Sequence, residues 1–256
     1  MAESFRSRLS RGDLFIGTLL TLPSPEIAEI FCASGFDWLF VDIEHGPMDM
    51  LDAQRILQAA AYRVPCIVRV PALEEVWIKK ALDIGSAGVI VPQVRTVEEA
   101  QTSVRLCKYP PTGTRSVGIS RAHGYGQNFM EYIAKADQET AVIIQIEHID
   151  AVNNVENILK VPGIDCLFVG PYDLSSSMGK TGLVDDSEVQ DAITHVQQCA
   201  EDAKVPLGVF GATAEVVTRY IRSGYTLIAA SMDTLLVGGA AKSLAHEIKG
   251  EARRAT

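Results

Sequence analysis

Apolar residues along this chain of 256 residues come in short runs separated by longer stretches of mixed character. In the first half the runs are FIGTLL at 15–20, WLFVD at 38–42, CIVRV at 66–70 and GVIVP at 88–92. The second half continues with AVIIQIE at 141–147, CLFVG at 166–170, PLGVF at 206–210 and TLIAA at 226–230. These runs are apolar throughout rather than alternating, which predicts strands buried on both faces of a parallel sheet. The intervening stretches have helical spacing instead. Between Asp49 and Ala61, Leu51, Ile56, Leu57 and Ala60 are placed on one face and Asp52, Arg55 and Gln58 elsewhere, so the apolar face is expected to pack on the sheet.

Eight such βα units in a chain near 250 residues match a (β/α)8 barrel. The expected fold is therefore α/β, a TIM barrel, with 1–256 forming a single domain. A doubly wound sheet is the alternative, but no GxGxxG follows the first run. The longest interruption, Tyr109 to Asn128, is rich in Gly, Pro, Arg and Ser, and loops of that length are usually functional or mobile.

Composition narrows the function more than the fold. Hydrophobic residues at 47% and charged residues at 21% supply an ordinary core. The net charge of −9 is spread along the chain without a basic and aromatic stretch, so no nucleic acid partner is expected. No run approaches the ~18 apolar residues of a membrane span, and the polar start carrying Arg6, Arg8 and Arg11 has no signal-like apolar segment. No membrane partner and a cytoplasmic location are expected. Cys32, Cys66, Cys107, Cys166 and Cys199 are scattered without a CxxC pair, which suggests reduced core residues and neither a disulfide framework nor a zinc site.

In a (β/α)8 barrel the chemistry sits at the C-terminal ends of the strands. The second run ends in Asp42 and leads to Glu44 and His45; the third delivers Arg69; Gln93 follows the fourth; the fifth ends in Gln145, Glu147 and His148; the sixth leads into Gly170, Pro171, Tyr172 and Asp173. Gln145 and Glu147 share a face of their strand, and His148 points away from it. A carboxylate inside a barrel mouth needs a cation, either a metal shared with Asp173 or Arg69 as an ion-pair partner. His195 and His246 lie on helical segments and read as surface residues. The lysines fall on helices or at their ends except Lys180, in a loop on the catalytic face, so imine chemistry is disfavoured.

With FDWLFVDIEHGP at 36–47, VRVP at 68–71, QIE at 145–147 and GPYDLSSSMG at 170–179 in that order, the chain resembles the HpcH/HpaI aldolases over nearly its whole length. The resemblance implies a metal-dependent pyruvate aldolase that cleaves a 4-hydroxy-2-oxo acid to pyruvate, or a related 2-oxo acid, and an aldehyde by retro-aldol chemistry. It implies Glu147 and Asp173 as ligands of Mg²⁺, Mn²⁺ or Co²⁺, Arg69 at the ketone oxygen, and His45 as acid/base with Asp42 and Asp83 orienting it. Gln145 is expected to hold substrate or a metal-bound water, backbone N–H groups around Tyr172 and Asp173 to cradle the pyruvate carboxylate, and Gly170, Pro171 and Tyr172 to belong to the substrate site.

Leu19, Tyr172 and Phe210 differ from better-known members and are expected to line a bulkier, more apolar aldehyde pocket. The segment with Arg115, Arg121, His123 and Tyr125 resembles a family loop that can reach over an active site, its own or a neighbour's. The segment from Asp233 onward resembles a helix exchanged between subunits, which implies a homo-oligomer, a hexamer built as a trimer of dimers. Three alternatives stay open: an acyl-CoA lyase of the citrate-lyase-β or malyl-CoA-lyase kind, a phosphate-binding barrel using Gly211, Gly238 and Gly239, and a non-catalytic barrel.

Overall fold

The computed structural model describes residues 3–60 and 63–254. Eight strands, β1 (Phe15–Leu20), β2 (Trp38–Asp42), β3 (Cys66–Arg69), β4 (Gly88–Val91), β5 (Ala141–Ile146), β6 (Cys166–Val169), β7 (Leu207–Gly211) and β8 (Leu227–Met232), match the apolar runs to within a residue or two. They pair in parallel in chain order, and β8 pairs with β1 to close the barrel.

The helices α2 (Pro25–Ala33), α3 (Met50–Ala59), α4 (Glu75–Asp83), α5 (Val97–Cys107), α7 (Ile149–Ile158), α9 (Ser187–Ala203) and α10 (Ala214–Arg222) alternate with the strands. Between the strands two helices are additional to that alternation: α6 (Phe129–Glu139) after the long loop, and the short α8 (Pro171–Ser177) directly after β6.

Strand residues divide by parity. Leu39, Val41, Val68, Val89, Val91, Ile144, Ile146, Val169 and Val209 join the helices in an outer core. Phe15, Leu19, Trp38, Phe40, Ile67, Ile90, Ile143 and Phe168 fill the barrel interior. Because successive side chains alternate faces, the same inward parity carries Asp42 beyond Phe40, Arg69 beyond Ile67, and Gln145 and Glu147 beyond Ile143. Four polar side chains are thus aimed into the C-terminal mouth by register alone. Gly17 leaves room for the interior Trp38, whose indole its Cβ would overlap, and the Trp38 Nε1–H donates to the Ile228 carbonyl at 3.0 Å.

The opposite end is closed by α1 (Phe5–Ser10), which inserts Phe5 and Leu9 under the interior cluster, Phe5 lying 4.8 Å from Phe15 between ring centroids. A cavity of about 630 Å³ opens at this lower end beside Arg8, Arg121 and Tyr125, far from the mouth.

In α3, Asp49 caps the helix and pairs with Asp52 in a capping box, while Ala53, Ile56 and Leu57 are buried. Leu51, expected on that face, is 52% exposed. It sits two residues from Ala53, more than half a helical turn away from the buried stripe. Ala61, the expected end of the segment, lies outside the described residues.

The last helix, α11 (Asp233–Arg254), starts at the end of β8. Asp233 is fully buried and ties β8 to the end of β1, accepting from Thr21 N–H at 2.8 Å, Thr21 Oγ1 at 2.8 Å and Leu22 N–H at 2.7 Å. Beyond it, Leu235, Leu236, Val237, Leu244 and Ile248 are exposed. Gly238 and Gly239 lie inside this helix rather than in a loop, so the glycine cradle of the phosphate alternative is not formed. No helix among the described residues is long and apolar enough to cross a membrane.

Candidate active site

Arg69 is the fixed centre of the mouth. Its Nε donates to Asp42 Oδ1 at 2.9 Å and its Nη2 to Asp42 Oδ2 at 2.7 Å, a bidentate pair between neighbouring strands in register. The guanidinium carbon lies 5.2 Å from the centroid of the Phe40 ring, so an aromatic face supports it from below. Glu44 Oε2 is 3.1 Å from Arg69 Nε, and the remaining Nη1 donates to Gln145 Oε1 at 3.5 Å. With Asp42 holding one edge, the other edge of this buried cation is directed at the mouth.

Glu147 is 2% exposed. Its Oε1 accepts the backbone N–H of Gln93 at 2.8 Å, and its Oε2 accepts from the Gln145 side-chain amide in a short hydrogen bond. Gln93 adopts a left-handed conformation, φ 56°, in presenting that N–H, a strain of the kind that collects at functional sites. Burial pushes the Glu147 carboxyl up to about 7; the Gln93 N–H opposes the shift, and the negative charges of Glu44 and Asp173 add to it. Glu44 is likewise raised to about 7 by burial, against the pull of Arg69 and with the push of Asp42 and Asp173. Glu44 Oε2 is buried and, although ion-paired with Arg69, accepts no hydrogen bond among the described residues.

Glu44 after β2, Glu147 after β5 and the exposed Asp173 at the start of α8 act on one another as like charges, and a cation among them relieves that repulsion. The residues therefore fit a hard divalent ion, for which carboxylate oxygens are the usual ligands. Gly170 belongs to the same fit: a Cβ there would meet Glu147 Cβ at 2.9 Å, Glu147 Oε2 at 3.1 Å and Gln145 Nε2 at 3.2 Å.

Other expected residues take varied places. Leu19 is buried in the barrel interior, Phe210 packs against that interior cluster, and Tyr172 stands half-exposed at the rim on α8. His45 is largely exposed at the mouth, with Nε2 3.8 Å from Glu44 Oε2. Asp42 engages Arg69 and the Glu44 N–H rather than His45. His148 turns out of the mouth as expected and caps α7, Nδ1 accepting the Asp150 N–H at 3.1 Å. Lys180 is ion-paired with Asp186 at 2.6 Å and Glu188 at 3.1 Å, which keeps the amine charged.

Asp83 is not brought to the mouth within this chain. It ends α4, at the lower end of the barrel, and pairs with the buried Arg115 at 2.8 Å. The long loop folds to the same end: Arg121 donates to the Ile84 and Leu57 carbonyls at 2.6 and 3.2 Å, and His123 is buried against Phe129 and Tyr132. This loop does not cover its own barrel's mouth, because helix C-termini, its partners, lie opposite the strand C-termini.

Position in the sequence assigns no role to Glu44 or to the Gln93 backbone. Glu44 lies past the strand where parity no longer predicts direction, and a backbone N–H leaves no residue-type signal.

Residues 16–240 match the family described as HpcH/HpaI aldolase/citrate lyase. The chain belongs to that family. A 4-hydroxy-2-oxo-heptane-1,7-dioate aldolase of Escherichia coli is 38% identical over 255 residues, covering 98% of this chain and 97% of the relative. A 4-hydroxy-2-oxovalerate aldolase of Rhodococcus jostii is also 38% identical, over 95% of each chain. Among solved structures, an HpcH/HpaI aldolase/citrate lyase family protein from Burkholderia cenocepacia superposes with a TM-score of 0.92 at 34% identity, covering 95% of this chain and 98% of that one.

Proposed function

We propose that this protein is a divalent-metal-dependent aldolase that reversibly cleaves a 4-hydroxy-2-oxo acid into pyruvate, or a related 2-oxo acid, and an aldehyde. The observation that carries this reading is the buried Glu147 carboxylate facing Glu44 and Asp173 beside a fixed arginine at the barrel mouth. The names of the two curated relatives point to the same substrate class.

Glu147 and Asp173 would hold Mg²⁺, Mn²⁺ or Co²⁺, which when bound supplies Lewis acidity at the 2-oxo group and a template for the substrate. Arg69 faces the ketone oxygen as negative charge develops there; held by Asp42 and Phe40, it needs no reorganisation when the charge appears. His45, in reach of solvent at the rim, takes the proton of the C4 hydroxyl as the C3–C4 bond breaks; the bond's electron pair passes into the pyruvate enolate, which takes a proton at C3 to leave as pyruvate, and the reverse direction runs the same transfers backwards. Gln145, bound on one side to Arg69 and on the other to Glu147, fixes both groups and offers an amide to substrate. Gly170 and Pro171 turn the chain into α8, whose first-turn N–H groups at Tyr172 and Asp173 would face the 2-oxo acid carboxylate.

Leu19 and Phe210 on the inner face and Tyr172 at the rim give the aldehyde an apolar wall, which favours apolar over acidic aldehydes. The exposed apolar residues of α11 support a homo-oligomer, with that helix packed on a neighbouring subunit in a hexameric trimer of dimers. The ligands are small molecules, and a cytoplasmic setting suits reduced cysteines.

Exchange of the pyruvate methyl protons with deuterated water, followed by NMR, tests the enolising half of the reaction alone. Exchange that needs both added divalent ion and Arg69 supports the proposal; exchange at the uncatalysed rate with every ion rejects it.

A further inference from the structure

On the outer wall of the barrel, away from the mouth, three side chains of different chemistry meet. Glu156 lies on α7 and His195 and Cys199 on α9, and one ligand atom from each lies within 4.8 Å of the others. Cys199 Sγ is 3.8 Å from His195 Nε2 and 3.9 Å from Nδ1. In a tetrahedral zinc site, with Zn–S about 2.3 Å and Zn–N about 2.0–2.1 Å, sulfur and nitrogen stand about 3.6 Å apart. The observed separation is nearly that edge.

The frame holding these groups is rigid. His195 and Cys199 are four residues apart and share one face of α9. Val152, Val155 and Ile158 of α7, with Val189, Ile193 and Val196 of α9, are buried in the outer core, which fixes the two helices against each other. Small rotamer changes would complete the triangle. Sequence spacing gave no sign of it, because the carboxylate comes from a different helix than the His and Cys.

We propose that Glu156, His195 and Cys199 form a second cation site, for a borderline-soft divalent ion of the Zn²⁺ type, with water as fourth ligand. Thiolate and imidazole select against Mg²⁺ and Ca²⁺, which take oxygen ligands, and so separate this site from the carboxylates of the mouth. An ion here clamps α7 to α9, the helices behind β5 and β6, which are the strands leading to Glu147 and Asp173. Desolvation, with the charges of Glu156 and Asp202, holds the Cys199 thiol above its ordinary range, so ion entry releases the thiol proton.

Cobalt(II) reports a sulfur ligand through a thiolate-to-metal charge-transfer band in the near ultraviolet, which oxygen ligands do not give. Titration of the full chain carrying Glu147→Gln, which disables the mouth carboxylate, should develop this band with one equivalent of Co²⁺. Adding Cys199→Ser should abolish the band, His195→Ala should weaken binding by about tenfold or more, and Cys32→Ser, at the other half-buried cysteine, should leave it intact. Circular dichroism melts establish that each variant is folded. Absence of the band in folded Glu147→Gln protein, or its persistence in Cys199→Ser, overturns the proposal. Neither outcome bears on the aldolase reading, because the mouth ligand is already removed.

Discussion

Arg69 and Asp42 show how much one buried pair can decide. The pair lies on adjacent strands at matched register and is almost wholly withdrawn from water, so removing one partner leaves an uncompensated charge. Asp42→Asn should cost about 3–5 kcal/mol of stability, the range for breaking a buried ion pair, readable as a lowered denaturation midpoint. Arg69→Ala should lower kcat by about 10²–10³, as loss of a preorganised donor to a developing oxyanion does, and an unchanged kcat would remove Arg69 from the chemistry.

Glu147 carries a pH signature. Its carboxyl is raised to about 7, so in metal-free protein the protonated form is the one the fold favours, and that contribution to stability is lost as pH rises through about 7. A bound cation reverses the preference by requiring the carboxylate. Differential scanning fluorimetry should therefore show a metal-induced rise in Tm that grows as pH increases through about 7. A rise independent of pH would place the ion elsewhere.

Among the elements, the strands were the most legible part of the sequence. A strand with both faces buried reads as an unbroken apolar run, and eight runs at βα spacing left little freedom of fold. Parity then made Gln145 and Glu147 legible as inward residues, while Asp42 and Arg69 were legible only as strand ends, and the fold shows the same parity for them. Helix faces were less secure: Leu51 counted as apolar but missed the stripe of Ala53, Ile56 and Leu57. The loop from Tyr109 to Asn128 had no period to read, and its grip on the C-terminal ends of α3 and α4 through Arg121 emerges only in the folded chain. Asp83 does not reach His45 within the chain for a related reason, since a helix returning to the barrel's lower end carries its last residue away from that chain's own mouth.

Two element junctions also make firm demands. Gly17→Ala would drive a Cβ into the Trp38 indole and its carbonyl, a backbone neighbour that cannot yield. A loss of about 3 kcal/mol, the upper end of overpacking costs, is expected from chemical denaturation. Asp233→Ala should cost a similar amount, about 3 kcal/mol, by stranding the Thr21 and Leu22 N–H groups where β1 meets β8.

For the molecule as a whole, the barrel is closed on itself while α11 extends with Leu235, Leu236, Val237, Leu244 and Ile248 uncovered. So much apolar surface on one helix marks an interaction site, which the proposed homo-oligomer would cover. Light scattering should report an oligomer for the native chain and a smaller species for Leu244→Asp with Ile248→Asp; a native monomer would contradict the assembly. The direct test of the central claim is pyruvate release from a panel of 4-hydroxy-2-oxo acids, measured on chelator-treated protein with and without Mg²⁺, Mn²⁺ or Co²⁺, and on Glu147→Gln. The account predicts turnover that returns with metal in the native chain and stays absent in the variant. Turnover without metal, or undiminished in Glu147→Gln, would contradict it.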